Sequence, residues 1–122
     1  MNRSDFRSNY EFQIAQALGA AGMGFEYEPQ KLHWVQPEVR RSYIPDFVLD
    51  NGIIIEVKGK WTLEDRKKMV HVIEQNPKLD IRMLFMRNNT ITKNSRTRYS
   101  DWCAKRGIKY AIGQIPEEWL RC

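Results

Sequence analysis

Three charged residues stand beside the most apolar run of this chain. In "YIPDFVLDNGIIIEVKGK", Tyr43 to Lys60, Asp46 precedes one short apolar segment, and Glu56 and Lys58 close the next. Two anions brought close together repel, and their pKa values rise. A divalent cation removes that penalty, and paired carboxylate oxygens suit Mg²⁺ or Mn²⁺. A lysine two residues further on could position or deprotonate a water, or stabilise developing negative charge. A metal, an attacking water and an ammonium together describe metal-assisted hydrolysis of a phosphodiester. The competing interpretation is an exposed strand face on which Glu56 and Lys58 are solvated and Asp46 lies near a turn.

Whether the two carboxylates meet depends on that turn. Tyr43–Asp50 and Ile53–Lys58 read as two strands joined at Asp50-Asn51-Gly52. A two-residue loop at Asn51-Gly52 sets Asp46 opposite Val57, and the carboxylates then point to opposite faces. A three-residue loop sets Asp46 across from Glu56, with β-carbons roughly 5 Å apart. That loop type wants a left-handed residue at its end, normally glycine, and Gly52 is there. In this register Asp46, Glu56 and Lys58 share one face, while Phe47, Ile55 and Val57 share the other.

The elements around the hairpin follow from caps and periodicity. Ser8 and Glu11 form a capping-box pair opening a helix over Ser8–Ala21, with Ile14, Ala15 and Leu18 as its apolar stripe. Gly19, Gly22 and Gly24 bring it to an end. "FEYEPQKLHWV" reads as a strand, a break at Pro29 and a second extended piece. Thr62 with Asp65 caps another helix, with Leu63, Met69, Val70 and Ile73 facing inward and Asn76-Pro77 as its stop. Ile81–Met86 is apolar on both faces, as in a central strand. Ser100 caps a short helix through Arg106, "IKYAI" is a last strand, and "PEEWL" is a terminal helical turn. Helix, strand, strand, strand, helix, strand, helix, strand is an α/β order: a mixed central β-sheet flanked by helices.

At 122 residues the chain is one domain, and it can bury a core without a disulfide or structural metal. No apolar run approaches the roughly 20 residues of a membrane span. "MNRSDFRSNYEF" lacks the apolar centre and cleavage site of a signal peptide. Cys103 and Cys122 are far apart and form no metal or disulfide pattern, which fits a reducing cytoplasm. His33 and His71 sit in no metal-spaced cluster and read as structural or surface residues. The tryptophans read as core or interface. The net charge of +5 suits a polyanionic partner. Arg87, Lys93, Arg96 and Arg98 share one segment with Asn, Ser and Thr, and Arg40 and Arg41 sit together in another. Such mixtures suit phosphate contacts; Arg7 and Lys60 join them as candidate DNA contacts.

The PD…ExK pattern resembles that of the restriction-endonuclease-like nucleases. The chain is more closely similar to the phage T-seven endonuclease I family of Holliday-junction resolvases. That likeness rests on "FRSNYE", "GFEYE", "YIPDFVLDNGIIIEVKGKW", "EDRKK", "NPKLDIR", "CAKRGIKYA" and "IPEEWL", in this order over most of the chain. Several of these segments have no catalytic purpose, so their agreement is more specific than the motif. The resemblance implies a restriction-endonuclease-like fold in an intertwined, domain-swapped homodimer that cleaves four-way junctions and other branched DNA with Mg²⁺, or Mn²⁺ in its place. It implies no small-molecule cofactor and no membrane partner. Carried onto this sequence, its catalytic set is Glu11, Asp46, Glu56 and Lys58, with Asp46, Glu56 and Glu11 as metal ligands. Glu11 otherwise needs no explanation beyond its cap, and spacing alone does not choose between the two roles. The family supplies that glutamate from one chain and the rest from the other. The single nuclease domain, 1–122, then divides into an exchanged helix and strand (1–28), an extended bridge (29–43) whose prolines discourage closure within one chain, and a catalytic core (44–122).

This chain departs from that family in its short polar amino-terminal arm, in a bridge sequence of its own, and in ending at "EEWLRC" without a lysine-rich extension. Two other functions remain open: a nicking or sequence-specific endonuclease with the same chemistry, and a non-catalytic branched-DNA-binding protein with a vestigial site.

Overall fold

The computed structural model describes residues 1–35 and 40–121, with Val35, Arg40 and Arg41 described by backbone alone. After a short 3-10 turn the order is α1 (Asn9–Ala20), β1 (Phe25–Tyr27), β2 (Leu32–Val35), β3 (Arg40–Tyr43), β4 (Phe47–Leu49), β5 (Ile53–Lys58), α2 (Leu63–Gln75), β6 (Asp80–Phe85), α3 (Tyr99–Lys105) and β7 (Lys109–Ile112). A 3-10 turn, Glu117–Leu120, follows Pro116 as the sequence indicates. Five strands form a mixed sheet in the order β1-β4-β5-β6-β7. Its β1-β4-β5 part is antiparallel and its β5-β6-β7 part parallel. β2 and β3 pair with each other outside this sheet.

Strand alternation sends β5 side chains to two different cores. Ile53, Ile55 and Val57 pack with Phe47, Leu49 and Leu84 against Ile14, Ala15 and Leu18 of α1. Ile54 faces the opposite core with Met83, Phe85 and Trp61, closed by Met69 and Val72 of α2 and Cys103 of α3. Truncating a fully buried residue such as Ile55 to alanine costs about 2–5 kcal/mol. β6, between two parallel partners, is the central strand expected. Trp34, Trp61 and Trp119 are buried, and His71 stacks on Trp34 at 6.0 Å.

The first helix is capped by Ser8, whose hydroxyl accepts the Glu11 N–H at 3.1 Å. It closes at Gly22, where φ is +71°: Gly22 N–H reaches Gly19 O and Met23 N–H reaches Leu18 O, a Schellman pair. Thr62 and Asp65 form the full capping box.

Several boundaries differ from the sequence reading. The strand expected over Tyr43–Asp50 is two strands, because Pro45 cannot donate to a ladder and separates β3 from β4. Leu63 is exposed, while Arg66 and Val72 of the same helix are buried. The helix is turned so that Arg66 can donate to Trp61 O at 2.8 Å. α3 is capped at Arg98, whose N–H the Asp101 carboxylate accepts at 2.9 Å, and Ser100 lies inside it. Ser100 Oγ instead accepts from the Asn88 side-chain amide.

Candidate active site

The hairpin takes the three-residue turn. Phe47 pairs with Ile55 and Val48 with Ile54, so Asp46 falls opposite Glu56 at the mouth of the ladder. Gly52 N–H closes the turn on Leu49 O at 2.9 Å, and the glycine sits at φ +92°, open to residues without a β-carbon. Asn51 adds a second hold. Its side-chain carbonyl accepts Ile53 N–H, and its amide donates to Trp119 O at 2.8 Å and Arg121 O at 2.9 Å.

Each carboxylate is held by a short hydrogen bond. Asp46 Oδ2 accepts the Val57 N–H at 2.8 Å. Glu56 Oε2 accepts the hydroxyl of buried Tyr43 at 2.6 Å. Lys58 Nζ lies 3.8 Å from Glu56 Oε1 and 3.9 Å from Asp65 Oδ1. Asp46, Glu56 and Lys58 therefore share the α2 side of the sheet, as the three-residue turn requires.

Glu11 reaches the same place from α1. Its carboxylate does not complete a capping box; it accepts the Tyr27 hydroxyl at 2.9 Å. It also lies within hydrogen-bonding and charge range of Asp46. Tyr27 in turn accepts the Arg7 N–H. Glu28, in a left-handed conformation at φ +47° that costs a non-glycine residue about 1 kcal/mol or more, donates its N–H to Asp46 O and ion-pairs with Arg7 at 3.0 Å. Arg7, Glu11, Glu28, Tyr43, Asp46, Glu56 and Lys58 line one cleft of about 410 Å³, together with Ser42, Ile44, Val57 and Lys68.

The electrostatics follow from burial. Desolvation, then the charge of Glu56, pushes the Asp46 carboxyl up to about 9. Desolvation also raises Glu56, against the lowering pull of the Tyr43 hydroxyl, Lys58 and Lys68. Burial and the adjacent Glu56 raise the Tyr43 hydroxyl well above its ordinary value. At neutral pH the carboxylates thus hold a proton between them unless a cation replaces it.

Of the other sequence candidates whose side chains are described, Arg7 lines this cleft and the rest lie outside it. Lys60, Arg87, Lys93, Arg96 and Arg98 are exposed and none lines it. The loop carrying the last four nevertheless leaves β6 at the end of the sheet where β5 ends, since Lys58 pairs with Phe85 and Met86 N–H reaches Lys58 O. That loop is internally bonded: Ile91 N–H to Thr97 O, and the Arg98 guanidinium to Asn88 O. The side chains of Arg40 and Arg41 fall outside the description. Tyr43, Tyr27, Glu28 and Lys68 were missed in the sequence. Only Lys68 carried a signal, as the second lysine of "EDRKK". Among the described residues no three His, Cys, Asp or Glu form a ready metal cage, and no helix is long and apolar enough to cross a membrane.

Comparison with known proteins places the chain in a class, the phage endonucleases. The chain is 44% identical to Endonuclease I of Escherichia phage T7 over 117 residues, which is 95% of this chain and 78% of that protein. It is also 44% identical to Endodeoxyribonuclease 1 of Enterobacteria phage T3 over 112 residues, 91% of this chain and 74% of that one. The model of the phage endonuclease I family matches residues 1–122. The chain belongs to the phage endonuclease I family.

Proposed function

We propose that this protein is a Mg²⁺-dependent DNA endonuclease that cleaves four-way junctions and other branched DNA by phosphodiester hydrolysis. Membership of a family of named endonucleases supports the DNA-cleaving part. The observation that carries the chemistry is the opposed pair of half-buried Asp46 and buried Glu56, facing one cleft, with Asp46 Oδ2 held by the Val57 N–H and Glu56 Oε2 by the Tyr43 hydroxyl.

That donor set fits a small hard cation. Mg²⁺ is commonly held by one or two carboxylates and keeps several waters, so two opposed carboxylates suit it without a protein cage. Asp46 and Glu56 would hold it, with Glu11 supporting its water shell, and Mn²⁺ would substitute. When bound, the ion supplies a polarised phosphate and a more acidic water. The protein's own groups do the rest. Tyr43 and the Val57 N–H fix the two carboxylates so that their other oxygens face the cleft. Lys58 directs its ammonium at the attacking water or at charge developing on phosphate. Arg7 and the loop of Arg87, Lys93, Arg96 and Arg98 offer cations along the duplex backbone, so binding weakens steeply with salt.

The working unit in this proposal is a homodimer. Residues 1–28 dock on the rest of the chain through β1–β4 pairing, the Tyr27–Phe47 ring contact and a Tyr10 hydroxyl bond to Gly113 O. An exchange of this segment between two chains would preserve every one of those contacts; with residues 29–43 as the bridge, the β2–β3 pairing found here within one chain would have to open or re-form between the chains. Two sites in one symmetric dimer would allow both strands to be cut in one encounter.

A purified protein incubated with a synthetic four-way junction and an equal-length duplex tests this. Junction cleavage in Mg²⁺ or Mn²⁺ is expected, lost in Glu56→Gln, with light scattering giving twice the 14.5 kDa chain mass. Faster cutting of perfect duplex would point to a nicking or sequence-specific enzyme. Junction binding without cleavage in either metal would point to a binding protein.

A further inference from the structure

We infer that Lys68 is a second substrate contact of this cleft, its ammonium taking a phosphate oxygen of the cleaved strand next to the scissile phosphate. The assignment rests on the endonuclease reading and deepens it. Lys68 sits one helical turn beyond Asp65 on α2, and residues three apart share a helix face. Asp65 points to Lys58, and Lys68 lies over the ring of Tyr43, 5.4 Å from its centroid. Tyr43 is the residue that holds Glu56. The Lys68 ammonium is therefore held at the cleft wall by an aromatic shelf, near enough to Glu56 for its charge to be felt there.

Among the described residues, the three cations lining the cleft are committed differently. Arg7 is ion-paired with Glu28 at 3.0 Å, and Lys58 is within 4 Å of two carboxylates. Lys68 makes no ion pair with a carboxylate among the described residues. It is half-buried and positioned over Tyr43, with Glu56 felt only as a through-space charge, which leaves its ammonium available to an external anion. Along a DNA strand the neighbouring phosphates are the nearest anions to a scissile one, and an ammonium meets them as a point charge. Lys58, drawn toward the carboxylates, serves the reacting atoms; Lys68 serves the strand.

The test uses Lys68→Gln and Lys68→Arg with a four-way junction carrying single methylphosphonate substitutions on either side of the cut. Lys68→Gln is expected to cleave about 10- to 100-fold more slowly below KM, as for loss of a charged hydrogen bond. Lys68→Arg should recover most of that rate. Binding measured without divalent metal should show a salt slope smaller by about one. At one methylphosphonate position the wild type should fall to the Lys68→Gln rate, and Lys68→Gln should lose nothing further. Losses that add at every position would overturn the assignment in favour of a structural role, as would Lys68→Gln cleaving within about twofold of wild type. A wild type that cuts no branched DNA would overturn the endonuclease reading itself, and this assignment with it.

Discussion

Asp46 and Asp80 sit at opposite ends of the same sheet and have opposite fates. Asp80 opens β6, 38% exposed, and its two oxygens take a bidentate pair of bonds from Arg82 at 2.9 and 2.8 Å, with Lys109 at 3.7 Å. Its pKa is lowered, chiefly by the Arg82 hydrogen bonds. Asp46 is more buried, faces Glu56, and has no guanidinium or ammonium ion-paired to it among the described residues; its pKa is raised. The chain had the basic residues to neutralise a carboxylate and did so at Asp80. At Asp46 no such partner is found among the described residues, and Lys58 reaches only Glu56 of the pair, which leaves Asp46 short of positive charge and is why an external cation is proposed there.

The largest effect should separate the two aspartates by activity. Asp46→Asn should lower junction cleavage by about 10⁴-fold, the scale of removing a central catalytic group, while Asp80→Asn leaves it unchanged in the same assay. Equal losses would break the contrast. Next is stability against pH, read as melting temperature without metal. Asp46 has a folded pKa of about 9 against an ordinary carboxylate value near 4. A raised folded pKa gives stability that is full below the unfolded value and lost as pH rises through the folded one. Wild type should therefore soften between about pH 4 and pH 9, and Asp46→Asn should melt roughly 5 °C or more above it at pH 8. Saturating Mg²⁺ should raise the wild-type melting point and not that of Asp46→Asn.

A smaller effect concerns the second carboxylate. Tyr43→Phe leaves the fold in place and frees Glu56 Oε2, so single-turnover cleavage should drop roughly tenfold, the worth of one charged hydrogen bond. The smallest is Asp80→Asn on stability. A half-exposed ion pair contributes about 0.5–1 kcal/mol, or a few degrees of melting temperature. Because the Asp80 pKa is lowered, that difference should be present at neutral pH and vanish as pH falls below about 4.

The paired carboxylates were legible because their information is local. Three loop residues and one glycine set the register, and the register sets the face. The caps at Ser8 and at Thr62 with Asp65 were legible for the same reason. The residues that tune the pair were not. Tyr43 reads as one more strand residue, yet it ends β3 before the interruption at Pro45 and its hydroxyl reaches Glu56, 13 residues on. Glu11 is a site candidate by family resemblance alone; its spacing reads as a cap partner until Tyr27, 16 residues on, engages its carboxylate. Arg66 was missed as a core residue because nothing in a charged side chain announces that backbone carbonyls from Trp61 and Ile91 will receive it. The two tyrosines act through contacts more than ten residues apart in sequence, where periodicity and caps give no guidance. The residue whose role outran its appearance most is Lys68, which spacing marks only as the polar side of a helix.

The grip of Asn51 on the carbonyls of Trp119 and Arg121 has a practical side. The turn that aligns the two carboxylates is tied to the last described residues, so a bulky fusion joined just behind Arg121 pulls on the alignment itself.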